Sequence, residues 1–378
     1  MKNPFEYGGV VRGEAFCNRQ HELADLRRSI ENAEKLFVFS ERRYGKTSLV
    51  RAVLDKLPRR SFVCTYVDLW PTDSEAAFAA ALARAITESM SSSADKALQM
   101  AKRFFGSLSP TVTVDAEGKP SLSFGLAKHA QVDPVLEEVL ETPARIAREN
   151  GPRVAVVMDE FQQILEYGSD RVEQKLRSAI QNHRTVSYVF LGSRKHLIQK
   201  MVLDKNRPLF RAGGHYPLGP IAEKNWRPFV RERFSDAEKR IDDEEIHAIC
   251  EMTQGHPFYT QHLCHVVWEM CERRAVVTKE IIDASVKILL DRESYAYTTL
   301  WESLTIPQKR FLKGLAGEAA GVKVFGGEFI SRYGLNSASN AQRASETLLA
   351  KDVIDRDNGS FLITDRFFRQ WIRSEQTI

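Results

Sequence analysis

Along the first 220 residues, short apolar runs alternate with stretches of helical period. Leu36-Phe37-Val38-Phe39, Phe62-Val63-Cys64-Thr65-Tyr66-Val67, Val154-Ala155-Val156-Val157-Met158 and Val186-Ser187-Tyr188-Val189-Phe190-Leu191 read as strands. Their apolar character is nearly continuous, which predicts burial on both faces and a parallel sheet. Between them, Leu23, Leu26 and Ile30 share one helical face. A second helix covers residues 48–57 and ends at Pro58. Ser74 caps an Ala-rich helix running towards Met90, and another helix covers 134–149. His215-Tyr216-Pro217-Leu218 is a last short strand. Strand–helix alternation of this kind predicts an α/β fold. Residues 91–125 interrupt it. Pro110-Thr111-Val112-Thr113-Val114-Asp115 and Ser121-Leu122-Ser123-Phe124 flank a turn at Ala116-Glu117-Gly118-Lys119. This predicts a β-hairpin inserted at about 105–130; a surface loop is the alternative.

From Ile221 the strands stop. Helices are predicted over 223–234, 243–252, 257–274 and 278–290, with Ser294-Tyr295-Ala296-Tyr297 as a connection. Gly255 and Pro257 supply a helix end and a helix start. Helices over 305–317, 327–333 and 337–350 then precede two strands around Asp357-Asn358-Gly359. Three helices and a hairpin make a winged-helix pattern. The expected organisation is therefore an α/β domain over 1–220, a helical lid over 221–295 and a winged helix over 296–378.

Composition narrows this little. The chain has 378 residues, 43% hydrophobic and 28% charged, with a net charge of +4. Such mild charge neither demands nor excludes a nucleic-acid partner. No run of about 18 apolar residues suggests a membrane span, and residues 1–7 lack the apolar core of a signal peptide. Cys17, Cys64, Cys250, Cys264 and Cys271 are odd in number and not closely paired, which fits a reducing cytoplasm. Cys264, His265 and Cys271, with His262, invite a zinc reading. However, Cys264 and Cys271 lie seven apart in an apolar helix, which is core spacing.

The chemistry concentrates at strand ends. After the first strand, Ser40-Glu41-Arg42-Arg43-Tyr44-Gly45-Lys46-Thr47-Ser48 enters a helix. Strand, loop, Gly-Lys-Thr and helix form the context of a P-loop. Its backbone N–H groups would cradle phosphates, Lys46 would reach the β/γ-phosphates of ATP, and Thr47 would bind Mg²⁺. Ser40 stands where the pattern expects its first glycine, so the loop is either strained there at φ > 0 or takes another conformation. The strand ending in Asp159-Glu160 matches a Walker B element. Asp159 would hold Mg²⁺ and Glu160 would polarise water; a plain helix cap by Asp159 is the alternative. Ser193 and Arg194 end the next strand, where ligands sit in open α/β sheets. Either would sense the γ-phosphate, or merely cap a helix. Arg211 precedes the last strand and would suit a finger acting on a neighbouring subunit, with Arg207 as runner-up; a surface ion pair is the alternative.

These residues together resemble the AAA+/STAND-like ATPases called the archaeal-type ATPase family. The resemblance rests on Asn18-Arg19 with Glu22-Leu23, on the P-loop, on Asp159-Glu160-Phe161-Gln162, and on Gly192-Ser193. Phe210-Arg211, Gly255-His256-Pro257 and Asp365-Arg366-Phe367-Phe368-Arg369-Gln370-Trp371 extend it over almost the whole chain. It implies a parallel sheet of order 5-1-4-3-2, a helical lid and a winged helix. It implies that residues 16–19 lie near the adenine and that His256 and Pro257 couple the lid to the nucleotide. The functions in view are an ATP-driven switch, a DNA-binding regulator with structural nucleotide, and an oligomeric motor or loader. A DNA or protein partner would meet the winged helix. Arg343 and Lys351 are balanced there by Glu346 and Asp352, and Arg366, Arg369 and Arg373 form either a supplementary DNA face or a solvated stripe.

Overall fold

The computed structural model describes every residue except 1, 12, 14, 15, 92, 115–117, 119, 129, 320, 358 and 376–378. Ala116, Glu117, Lys119 and Asn358, expected in turns, therefore lie outside the described residues. The chain divides into two compact units. One comprises Arg19–Ser40 with Lys46–Leu218; the other comprises Met1–Asn18, Glu41–Gly45 and Gly219–Ile378.

The first unit runs α1 (Gln20–Glu31), β1 (Lys35–Phe39), α2 (Lys46–Lys56), β2 (Phe62–Asp68), α3 (Glu75–Met90), α4 (Ala94–Phe104), β3 (Leu108–Val114), β4 (Pro120–Leu126) and α5 (Val132–Asn150). It continues with β5 (Arg153–Asp159), a 3-10 helix (Phe161–Tyr167), α6 (Arg171–Asn182), β6 (Val186–Gly192), α7 (Lys195–Leu203) and β7 (Gly214–Pro217). Five parallel strands are ordered β2-β5-β6-β1-β7. Counted by the sheet's own strands and read from the other edge, this is the expected 5-1-4-3-2. The continuous apolar runs land centrally: every residue of β6 is buried, as is all of β5 beyond Arg153. Phe37 and Phe190 stack at 4.6 Å across neighbouring strands, and Phe161 closes on Phe190 at 4.6 Å. The interruption is a hairpin, β3 antiparallel to β4 with Thr111 opposite Ser123. Helix α4 before it was not anticipated. Its buried residues Ala97, Ala101 and Phe104 follow helical spacing, so its amphipathic pattern was present in the sequence and was passed over.

The second unit contains α8 (Glu223–Ser235), α9 (Asp243–Thr253), α10 (Pro257–Met270), α11 (Lys279–Glu302), α12 (Ile306–Gly317), α13 (Gly327–Arg332), α14 (Ala338–Ala350), β8 (Ile354–Asp357), β9 (Ser360–Ile363) and α15 (Arg366–Glu375). Its core draws in the N-terminal segment, with Phe5 packed on Phe229 and Phe234 at 6.3 and 5.6 Å. Ser294-Tyr295-Ala296-Tyr297, expected in the connection to the last domain, is helical, because α11 runs straight through it. No Gly or Pro interrupts residues 279–302, and buried Tyr297 packs on Phe368 at 5.2 Å, which rewards continuing the helix. Cys264 and Cys271 are buried free thiols in this core. Among the described residues, no helix is long and apolar enough to cross a membrane.

Candidate active site

The strand order brings the carboxyl ends of β1, β6 and β5 side by side, so their following loops share one edge of the sheet. Ser40 leaves β1 with its N–H donating to the Gly192 carbonyl at 3.3 Å. Ser40 has no left-handed φ, so of the two alternatives the loop takes the other conformation. Among the loop residues, Arg43 (φ 60°) and Gly45 (φ 83°) are left-handed. Ser40 stays tied to the end of β6, so the chain reverses further on. Buried Lys46 donates from Nζ to Ser40 Oγ at 3.0 Å and to the Ser40 carbonyl at 3.3 Å. Ser48 is buried on α2.

Asp159, buried at the end of β5, gathers three donors. Oδ2 accepts from Thr47 Oγ1 at 2.6 Å and from the Tyr66 hydroxyl, and Oδ1 accepts from the Glu160 N–H at 2.9 Å. No side chain caps the short helix that follows, so the helix-cap alternative for Asp159 does not describe it. Tyr66 was missed. The β2–β5 register sets it opposite Val157, next to the strand end. Its signal was a hydroxyl-bearing aromatic in an otherwise apolar strand. Burial, and then the Asp159 carboxylate, push its phenol up, so it remains a donor.

Glu160 has φ 51° and ψ 42°, a left-handed conformation costing about 1–2 kcal/mol for a non-glycine residue. Such strain persists where surrounding contacts enforce it. Here the carboxylate accepts from Ser193 Oγ at 2.6 Å and from Gln162 Nε2. Gln162 closes the set by accepting from the Ser193 N–H at 3.3 Å. It was visible only as a member of the Asp-Glu-Phe-Gln motif. Gly192 is required for close packing: a Cβ there would sit 2.2 Å from Ile198 Cγ1.

The other candidates have contacts of their own. Half-buried Arg194 approaches Glu166 at 3.7 Å. Exposed Arg211 lies against the Phe210 ring at 5.2 Å. Arg207, the runner-up finger, is held by Glu173 and, at 3.0 Å, by Asp170. Buried Arg19 is paired with Glu22 at 2.7 Å; it and Asn18 both have positive φ.

Within the second unit, the side chains of the loop apex have their own partners. Glu41 meets Arg366 at 2.7 and 3.2 Å, and Arg42 meets Asp352 at 3.3 Å. Arg43 lies over the Phe258 ring at 4.3 Å, and Tyr44 packs edge-on to His256 at 4.3 Å. His256 Nδ1 accepts from the Phe258 N–H at 3.2 Å, so Nε2 carries the proton donated to the Arg42 carbonyl at 3.2 Å. Pro257 starts α10. What residues 42–44 have to offer a phosphate is thus their backbone N–H groups rather than their side chains. The α15 arginines are also engaged internally. Arg369 and Arg373 donate to the Glu318 and Ala316 carbonyls at 3.3 and 2.6 Å, at the end of α12. Burial, then the Arg373 and Arg366 charges, push Arg369 down to about 10.

A family model described as "ATPase domain predominantly from Archaea" matches residues 16–263. The chain belongs to that ATPase family. A second model, "Probable winged helix domain", matches residues 295–374. Among solved structures, this archaeal-type ATPase chain is similar to a Walker-type ATPase of Pyrococcus abyssi, with 16% identity, TM-score 0.65, and 98% of this chain and 99% of that one covered. It is also similar to the ORC2 protein of Aeropyrum pernix, described in ADPNP-ADP complexes, with 12% identity, TM-score 0.52 and coverage of 100% and 99%. The ORC1 protein of Aeropyrum pernix, described in complex with DNA, shows 16% identity, TM-score 0.50 and coverage of 97% and 94%. No curated protein matches the sequence.

The residues suit the magnesium nucleotide that such a family implies. Thr47 and Asp159 bring a hydroxyl and a carboxylate into contact. Among the described residues, no group of three or more His, Cys, Asp or Glu converges to hold a metal. Mg²⁺ takes one or two protein oxygens and fills its other positions with phosphate and water, and the Thr47–Asp159 pair offers such oxygens.

Proposed function

We propose that this ATPase-family chain binds ATP with Mg²⁺, hydrolyses it slowly, and uses the change to switch a winged helix between partner-bound and free states. One observation carries the reading: Lys46, Thr47, Asp159, Glu160 and Ser193 cluster at one sheet edge, linked by Thr47–Asp159 and Ser193–Glu160 hydrogen bonds of 2.6 Å. Lys46, braced on Ser40, directs positive charge at the β/γ-phosphates. Thr47 and Asp159 hold the Mg²⁺, which offsets phosphate charge. Glu160 accepts a proton from water as that water bonds to the γ-phosphorus and the bond to the β–γ bridging oxygen breaks, giving ADP and phosphate. Ser193 and Gln162 fix the Glu160 carboxylate for that task. Arg194 and Arg211 stay outside this core set. Arg211 is exposed and suited to stabilising charge at a second subunit's nucleotide, in a homo-oligomer within the cytoplasm. Its partner is only the Phe210 ring among the contacts described, which favours an available guanidinium.

The partner we favour for the winged helix is a protein. The exposed face of α14 carries Gln342, Arg343, Glu346 and Thr347, with Gln342 bonded to Glu346. That mixed charge lacks the basic cluster usual for DNA. The DNA complex of the ORC1 neighbour makes DNA the competitor to test. Purified protein should turn over Mg-ATP, and duplex DNA should leave the rate unchanged. Stimulation by DNA would reverse the partner assignment. Absence of both ATP binding and turnover would remove the switch.

A further inference from the structure

Glu41 follows directly after Ser40, so an acidic side chain stands at the opening of the loop that must wrap a polyphosphate. A free carboxylate there works against phosphate binding. Its partner comes from far along the chain. Arg366, buried at the start of α15, makes a two-bond fork with Glu41: Nη1 to Oε2 at 2.7 Å and Nη2 to Oε1 at 3.2 Å. Fork pairing of this kind fixes orientation as well as charge. Arg366 is itself anchored, with Nη1 donating to the Ile363 and Thr364 carbonyls at 3.0 Å. Tyr44 adds a third grip, donating to Glu41 Oε1 at 3.0 Å. A parallel link joins Arg42 to Asp352 at 3.3 Å. Glu41–Gly45 accordingly group with the unit that carries the winged helix, while Ser40 and Lys46 group with the sheet.

We propose that Arg366 is a positioning residue for nucleotide binding: from the winged-helix region it neutralises and orients Glu41, making the phosphate loop fit to accept a polyanion. This rests on the ATP-binding reading above. Release of Arg366 leaves Glu41 as an uncompensated negative charge in the loop, so affinity falls. Linkage makes the effect reciprocal, and bound nucleotide strengthens the hold on Arg366. The winged helix thereby reports on, and controls, occupancy of the loop.

The test is a charge cycle read by calorimetric titration with ADP and Mg²⁺, alongside thermal melting. Arg366→Gln should raise the Kd about tenfold or more, and Arg366→Lys should fall between it and the wild type. Adding Glu41→Gln to Arg366→Gln should recover most of the lost affinity, because the offending charge is gone; a merely structural role predicts further loss instead. Should Arg366→Gln fail to fold, hydrogen exchange on the wild-type protein decides. ADP should slow exchange of the amides of residues 364–368, and unchanged exchange overturns the proposal. A wild-type Kd in folded Arg366→Gln, or a loss that Glu41→Gln does not recover, also overturns it. Wild-type protein that fails to bind ADP overturns the ATP reading as well, whereas normal wild-type binding with an insensitive Arg366→Gln overturns the positioning role alone.

Discussion

Two groups of polar residues invite a functional reading: the strand-end set Asp159, Glu160 and Ser193, and the α15 set Arg366, Arg369 and Arg373. The first leaves buried strands at the edge of a parallel sheet, where its side chains bond one another and Thr47. The second sits on a helix whose apolar face is buried, and its arginines turn back to Glu41, Glu318 O and Ala316 O. The strand ends can aim only at the loops around them. A helix at the periphery of a domain has a choice of directions, and long arginine side chains reach inward carbonyls as readily as solvent. Polar clusters at strand ends are therefore better evidence of a site than stripes on a terminal helix.

Substitutions in the two groups should therefore have different consequences. The largest effect is expected from Lys46→Ala, which removes the ammonium braced on Ser40; nucleotide binding or turnover should be lost altogether in calorimetry and phosphate-release assays. Unchanged affinity and rate would sink the P-loop reading. Glu160→Gln comes next. Its amide cannot take the proton from water, so turnover should drop by about 10²–10⁴, with ATP still bound. Wild-type turnover would put the base elsewhere. Ser193→Ala should lower turnover by roughly tenfold with ATP affinity unchanged, since loss of one hydrogen bond to a charged group is worth about 1.5 kcal/mol. Equal losses in Kd and rate would make Ser193 a ligand instead.

On the other side of the comparison, Arg373→Ala should cost about 1 kcal/mol of stability, because it uncaps the Ala316 carbonyl at a half-exposed position. It should leave nucleotide and DNA binding alone. Weakened DNA binding without a fall in melting temperature would restore the outward-facing reading of that helix. The smallest effect is expected at Ser40. Glycine there relieves no strain, as Ser40 lacks a positive φ, and it removes the Oγ contact with Lys46. A few-fold weakening of ADP affinity is the expected outcome of Ser40→Gly; a gain would mean that the loop is strained in the nucleotide-bound form.

Much of the site was legible because its signals are local. Ser40 to Ser48 and Asp159-Glu160 each lie directly after a recognisable strand, whereas the sheet order followed only from the resemblance to the archaeal-type ATPase family. Tyr66 and Gln162 were not legible as partners. Both are defined by register and by what stands opposite them, and nothing in their own sequence neighbourhood states it. The acidic partners of Arg207, Glu173 and Asp170, were not legible either, since only folding brings them near.

Local sequence carries the periodicities, hence the strands, most helices, the α/β class and the strand ends bearing the polar residues. These follow from backbone geometry and from burial of each element's apolar face, which neighbouring residues suffice to specify. Only the tertiary structure decided where the charges go. Glu41 and Arg366 are 325 residues apart in the chain, and no local rule pairs them. The side chains of Arg42, Arg43 and Tyr44 carry no stated partner in the sequence, and each finds one in the unit that holds the winged helix. A buried charge must be compensated by whichever opposite charge or dipole the fold brings within a few ångströms. That choice belongs to the packing of whole elements, which is why the phosphate loop was readable in advance and its hold on the winged helix was not.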